Sequence, residues 1–214
     1  MTTVYGVPVS PFVRKVLLAL ELKGIEYELK PVAPMALPDG YEKIHPLKKI
    51  PAFVDEHVTL ADSSVICEYL QERYPETSLR PGDAAARAQG RWIEEYADTV
   101  LIEKIGPPIF FQRVVNPVFL QKSCDEAIVQ AAVTNDLPPL FDYLETQVNG
   151  AEYLQNKTIS MSDVALVCPL ISLYLAQESI DASRWPKLAA YYEFIAAHPI
   201  VASRIAQELT LLGR

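Results

Sequence analysis

The chain has 214 residues, half of them apolar and 21% charged, which is ordinary globular composition with apolar material for one large domain or two small ones. That excludes a disordered or fibrous chain. Lys and Arg number 19 against 27 Asp and Glu, a net charge of −8, so a phosphate backbone would be repelled without a local basic patch, and the sequence shows none. Cys67, Cys124 and Cys168 are odd in number and widely spaced, with no CxxC, and read as reduced thiols of a cytoplasmic protein. His45, His57 and His198 are too scattered for a metal site, so no metal is expected. The N-terminus lacks a signal-like pattern, and the longest apolar stretch, residues 164–176, is broken by Pro169 and Ser172 and too short to span a bilayer.

The first 75 residues alternate between strand and helix patterns. Residues 4–7 form a short apolar strand candidate ending at Pro8, after which Ser10-Pro11 opens a helix with Ser at the N-cap and Pro at N1. Val13, Val16, Leu17 and Leu20 give that helix an apolar face, and Gly24 stops it. From Ile25 the period changes to two: Ile25, Tyr27 and Leu29 face one way, Glu26, Glu28 and Lys30 the other, as in a half-buried strand. A loop with Pro31, Pro34 and Pro38 leads to a short helical piece at residues 41–44, ended by Pro46. Residues 52–54 and 58–60 are strands of a hairpin turned at Asp55-Glu56-His57, and residues 63–74 resume helical period. The order β-α-β, connection, β-β-α describes a small α/β layer domain over residues 1–76.

Residues 77–86, with Pro81, Gly82 and small polar side chains, read as a linker. Beyond it residues 87–104, 125–148, 162–178 and 187–211 all carry helical period, so residues 87–214 are expected to be an all-α bundle. Through Arg80 the chain has 9 basic and 11 acidic residues, and beyond it 10 and 16, so anion binding is expected on the first domain.

Several places could carry chemistry. Ser10 has the default reading of an N-cap, but its hydroxyl also lies where a strand meets a helix N-terminus, a place that favours anions. Ile50-Pro51 precedes a short strand, and a cis bond there would open the Ile50 backbone as a binding strip. Asp62-Ser63-Ser64 precedes a helix and is by default its cap, yet Ser63 and the adjacent N–H groups could hold a carboxylate. Together these suggest a groove for a small extended anion. Ser160-Met161-Ser162-Asp163 has the spacing of a capping box, with Asp in place of Glu or Gln, and reads as structural. Phe110-Phe111 could line an apolar pocket or pack in the core, and Tyr5 is the rival activator of a nucleophile.

The segments SPFVRKVLLALELKGIEYE, HPLKKIPAF, LADSSVICEYL and TISMSDVAL, in this order and spacing, resemble the cytosolic glutathione transferases. The resemblance runs from Val4 to about Ile205. It implies a thioredoxin-like N-terminal domain that binds glutathione as co-substrate, with no permanently bound cofactor, and an all-helical domain that receives an apolar electrophile at a pocket including Phe12, Phe110 and Phe111. It implies that Ile50, before a cis-Pro51, pairs its backbone with the cysteinyl part of glutathione. Lys49 then meets the glycine carboxylate, and Asp62 and Ser63 hold the γ-glutamyl end. Ser10 matches the serine of the theta-, phi- and tau-like classes, whose hydroxyl hydrogen-bonds the sulfur. The family is usually dimeric, which implies a homodimer.

The sequence departs from the family at several points. Asp62 stands where the family usually has Glu, His45 where it has Asn, Lys48 where it has glycine before the Lys-x-Pro run, and Asn156 where it has a turn glycine before the capping box. No Cys sits near Ser10, which disfavours the members that form mixed disulfides, and the Ser-Ser-Cys run of the isomerase-like members is absent. Two alternatives stay open: a catalytically silent binding or scaffold protein, and a glutathione-dependent peroxidase or dehalogenase working on the same site.

Overall fold

The computed structural model describes residues 1–155 and 157–214; Asn156, noted above as the turn residue before the capping box, lies outside them. The chain divides into two compact units, Met1–Leu79 and Arg80–Arg214. The first is α/β and thioredoxin-like. Its elements are β1 (Thr3–Tyr5), α1 (Pro11–Leu22), β2 (Glu28–Lys30), a single 3-10 turn at Tyr41–Lys43, β3 (Ala52–Val54), β4 (Thr59–Ala61) and α2 (Ser63–Arg73). The four strands lie in the order β2-β1-β3-β4, with β2 parallel to β1 and the other two pairings antiparallel.

Alternation along the strands sends side chains to two faces. Val4 and Phe53 are register partners and fully buried. Phe53 meets Tyr69 edge-on at 5.8 Å, which places α2 on this face. A Cβ on Gly6 would collide with Val13, so only glycine lets β1 pass this close to α1, on the same face as Val4. On the opposite face Val32, Tyr41 and Ala52 form a second cluster, joined by Tyr5, Leu37, Ile44 and Ile50. The β3–β4 hairpin is held by Asp55, which accepts from the His57 and Val58 N–H groups at 2.8 and 2.9 Å and from the Tyr69 hydroxyl at 2.6 Å.

Several boundaries differ from those expected. Strand pairing in β1 covers Thr3–Tyr5 and not residues 4–7, because the chain turns away at Gly6 to enter α1. Burial alternates from Ile25 to Lys30 as the period predicts, yet only Glu28–Lys30 pair with β1. In α1 burial covers every residue from Val13 to Leu20 and not only the apolar face. It includes Arg14, which donates to the Val9 carbonyl at 3.3 Å, and Lys15, which donates to Ser64 Oγ at 2.8 Å, so these buried charged ends have polar partners.

Among the described residues the second unit contains helices and no strand. They include α3 (Ala84–Tyr96), α4 (Ile102–Ile105), α5 (Glu126–Ala131), α6 (Leu137–Gln147), α7 (Met161–Leu175), α8 (Pro186–Ala196) and α9 (Pro199–Leu211). Asp83 caps α3 by accepting from the Ala86 N–H at 2.9 Å, so this helix opens before Arg87. Residues 187–211 are two helices and not one. His198, ahead of Pro199, takes an extended conformation that a helix interior does not allow. Gly106–Phe119 forms a wide helix with i→i+5 bonding, which the Gly-Pro-Pro start had hidden. Apolar on all sides, α7 is buried along nearly its whole length, as a central helix must be.

The capping box at the start of α7 is present. The Asp163 carboxylate accepts from the Ser160 N–H (2.9 Å), the Ser160 hydroxyl (2.6 Å), the Leu154 N–H (2.9 Å) and the Tyr191 hydroxyl (3.0 Å). Burial pushes the Asp163 carboxyl up, and these four donors oppose the shift. Near the other end of α7, Arg113 donates to Glu178 at 2.7 Å and to Glu126 at 2.9 Å, tying the 106–119 helix to α5 and to the chain just past α7.

Candidate functional site

Sheet register assembles the site. Tyr5 pairs with Ala52, and Ala52 with Ala61, so these three form one row across β1, β3 and β4. The next residues beyond the row are Gly6, Pro51 and Asp62, and the three candidate segments therefore leave the sheet at the same end. A Cβ on Gly6 would also stand 3.5 Å from Ile50 Cβ, which fixes how near the β1–α1 turn lies to Ile50. Gly6 and Ile50, far apart in sequence, meet here.

Ser10 occupies the N-cap position of α1. Its backbone N–H donates to the Val7 carbonyl at 3.0 Å and its carbonyl accepts from the Arg14 N–H at 2.8 Å. The side chain does not cap: no hydrogen bond runs from the Ser10 hydroxyl to the helix. The hydroxyl is thus left available at a half-buried position beside first-turn N–H groups that carry the positive end of the helix dipole. Phe12, two residues on, is also half-buried.

The second segment begins at His45. Its carbonyl accepts from the Lys48 N–H at 2.8 Å, closing a turn in which Lys48 has φ 53. That left-handed backbone explains why a glycine suits the position, since a Cβ there costs roughly 1 kcal/mol. Lys49 is exposed, and its carbonyl accepts the Tyr41 hydroxyl at 2.9 Å. The Ile50-Pro51 bond is cis. Among the described residues neither the N–H nor the C=O of Ile50 has a backbone partner. Burial holds the His45 imidazole below its usual 6.5; Lys49 adds to that shift and Asp62 opposes it.

Asp62 caps α2, with Oδ1 accepting from the Ser64 and Val65 N–H groups at 2.9 and 3.2 Å. Its backbone has φ 77 and ψ 130, a region rare for a residue with a side chain. The side chain is exposed and only Oδ1 is engaged by the cap, while Ser63, the first residue of α2, is buried. An exposed ammonium at Lys49, an exposed carboxylate at Asp62, an open backbone strip at Ile50 and an idle hydroxyl at Ser10 suit a small, extended, zwitterionic ligand.

The remaining candidates lie elsewhere. Tyr5 points to the sheet face opposite α1, where its ring stands edge-on to Tyr41 at 6.4 Å beneath the Lys30 ammonium. In the second unit Phe110 is buried and Phe111 is 46% exposed. Among the described residues no group of His, Cys, Asp and Glu could hold a metal, and no helix is long and apolar enough to cross a membrane. Sequence reasoning did not single out Tyr41, because nothing in its local pattern separates a core aromatic from one whose hydroxyl reaches Lys49.

Comparison with known proteins identifies the architecture. The profile of the glutathione S-transferase N-terminal domain matches residues 4–78, and that of the C-terminal domain matches residues 110–208. The chain belongs to the glutathione S-transferase family. A glutathione S-transferase of Triticum aestivum is 29% identical over 205 residues, covering 95% of this chain and 92% of its own. Glutathione S-transferase 3 of Zea mays is 29% identical over 212 residues, covering 94% and 92%. Among solved structures, a glutathione S-transferase from Rhodospirillum rubrum F11 superposes with a TM-score of 0.84 at 23% identity, over 95% of this chain and 91% of its own, a likeness of fold. The transferase fold, a mixed four-stranded sheet unit followed by a helical unit, is therefore shared.

Proposed function

We propose that this family member is a glutathione transferase that adds the glutathione thiolate to apolar electrophiles. Residues 1–76 bind glutathione, residues 77–86 link the domains, and residues 87–214 carry the electrophile pocket. The observation that carries the reading is the Ser10 hydroxyl: it sits at a helix N-cap yet caps nothing. In this assignment it donates to the glutathione sulfur. The Ile50 backbone pairs with the cysteinyl unit, Lys49 meets the glycine carboxylate, and Asp62 with Ser63 holds the γ-glutamyl end. Phe110 and Phe111 of the second unit are assigned to the electrophile pocket. The protein acts as a homodimer.

The magnitudes agree. A thiol with pKa ~8.5 is only about 3% ionised at pH 7. Lowering that value by ~2 units requires about 2.7 kcal/mol of preference for the anion. A hydrogen bond to a charged group contributes ~1.5–3 kcal/mol and a helix N-terminus about 0.3–1. Ser10 on α1 supplies both. The thiol proton leaves to solvent and the sulfur lone pair forms the new carbon–sulfur bond; the displaced pair departs with the leaving group or, in an addition, moves from the π bond onto the acceptor atom, which takes a proton from solvent.

The test is an ultraviolet difference titration of bound glutathione against pH, in the parent protein and in Ser10→Ala. A thiolate band with a midpoint well below ~8.5 that moves up in the variant supports the assignment. Binding without a thiolate band would instead mark a binding or scaffold protein.

A further inference from the structure

We infer that Tyr41 is a positioning residue for the ligand-binding strip at Ile50; the inference rests on the proposed pairing of Ile50 with the cysteinyl unit of glutathione. Tyr41 opens the single 3-10 turn and is 2% exposed. Its ring is held on two sides, edge-on by Tyr5 at 6.4 Å and stacked by His45 at 6.3 Å with 27° between planes. The backbone beneath it is closed as well, since the His45 N–H donates to the Tyr41 carbonyl at 2.8 Å. A ring so confined presents its hydroxyl at one place only, and there it donates to the Lys49 carbonyl at 2.9 Å.

That bond orients more than Lys49. The Lys49–Ile50 peptide is trans, the cis bond being the next one along. In a trans peptide the C=O and the following N–H point in opposite directions across one rigid plane. Anchoring the Lys49 oxygen to Tyr41 therefore turns the Ile50 N–H away from the Tyr41 side, and no backbone group of the described chain takes it up. Without the hydroxyl, the plane between the left-handed Lys48 and Ile50 loses the hydrogen bond that tethers it and can rotate. Tyr41 never touches ligand in this scheme; it sets the direction of the donor that does.

Burial and the neighbouring Tyr5 push the Tyr41 phenol up to about 12, so it remains a donor through the whole working pH range.

Tyr41→Phe tests this, because it keeps the ring packing and deletes only the hydroxyl. Calorimetric titration with glutathione, well below the unfolding temperature, should give a Kd raised about five- to tenfold, the value of one lost hydrogen bond. The titration midpoint of the bound thiol, which reports on Ser10, should stay where it is in the parent. A merely structural Tyr41 would lower the unfolding temperature of the free protein and leave the Kd of the folded fraction unchanged; that result overturns the inference. Failure of the parent protein itself to bind glutathione is a separate outcome, which overturns the proposed function and the inference with it.

Discussion

Two serines stand at helix N-caps in this chain and have opposite fates. Ser160, at the start of α7, is fully buried, and both its N–H and its hydroxyl donate to Asp163, at 2.9 and 2.6 Å. Ser10, at the start of α1, is half-buried and its hydroxyl caps nothing. The local sequences announce the same device, a serine ahead of a helix. What separates them is the company that the fold supplies. Around Asp163 the chain delivers four donors from three places, so the polar groups consume one another and the arrangement holds the helical unit together. Around Ser10 the described residues offer the hydroxyl no cap bond, and in the proposed function that hydroxyl meets the ligand. A satisfied polar cluster contributes stability, and an idle polar group at the end of a sheet stays open to a partner.

The largest effect that could break this contrast is on the satisfied side. Asp163→Ala would remove the acceptor of the buried Ser160 N–H and Tyr191 hydroxyl and of the half-buried Leu154 N–H, and should cost about 3–5 kcal/mol of unfolding free energy. Urea denaturation measures it, and a loss below ~1 kcal/mol would show that the cluster is not what stabilises α7. On the idle side, Ser10→Ala should lower kcat by about ten- to a hundredfold, while stability changes by no more than about 0.5 kcal/mol. A variant that keeps its turnover would remove Ser10 from the chemistry, and one that unfolds would make it a cap after all. Lys49→Ala should weaken glutathione binding by about tenfold with kcat at saturation little changed. Isothermal titration reading the same affinity in variant and parent would withdraw that contact.

The smallest effect concerns a third kind of polar group, buried and unsatisfied. Among the described residues the Nδ1 atoms of His45 and His198 have no hydrogen-bond partner, and burial holds both imidazoles below 6.5. The folded chain thus takes up a proton less readily than the unfolded chain. Stability is complete above about pH 6.5 and declines as the pH falls below it. His198→Gln should flatten part of that decline, compared by thermal unfolding at pH 7.5 and 5.5. An equally steep fall in the variant would assign the acid sensitivity to other groups.

Much of the fold was legible from neighbours in sequence. The 3.6-residue period marked α1 and α7, the two-residue period marked residues 25–30, and Asp55-Glu56-His57 marked the hairpin that Asp55 closes. Misread segments were those where a proline has two meanings. Pro107-Pro108 opens a wide helix outside the segments read as helical, and Pro199 divides what looked like one helix. The segments around Ser10, Lys49-Ile50-Pro51 and Asp62-Ser63, on which the proposed site is built, were singled out from the sequence.

By itself the sequence determined that most of these segments are helical or extended and that Ser160 and Asp163 can cap one another, because each of these depends on groups within a few residues of each other. Only the tertiary structure decided that Ser10 does not cap, that the row Tyr5–Ala52–Ala61 brings three loops to one end of the sheet, and that Tyr41 holds the Lys49 carbonyl. Those outcomes depend on strand register and on which face each side chain takes. A one-residue shift in register would exchange the faces while leaving every local pattern unchanged.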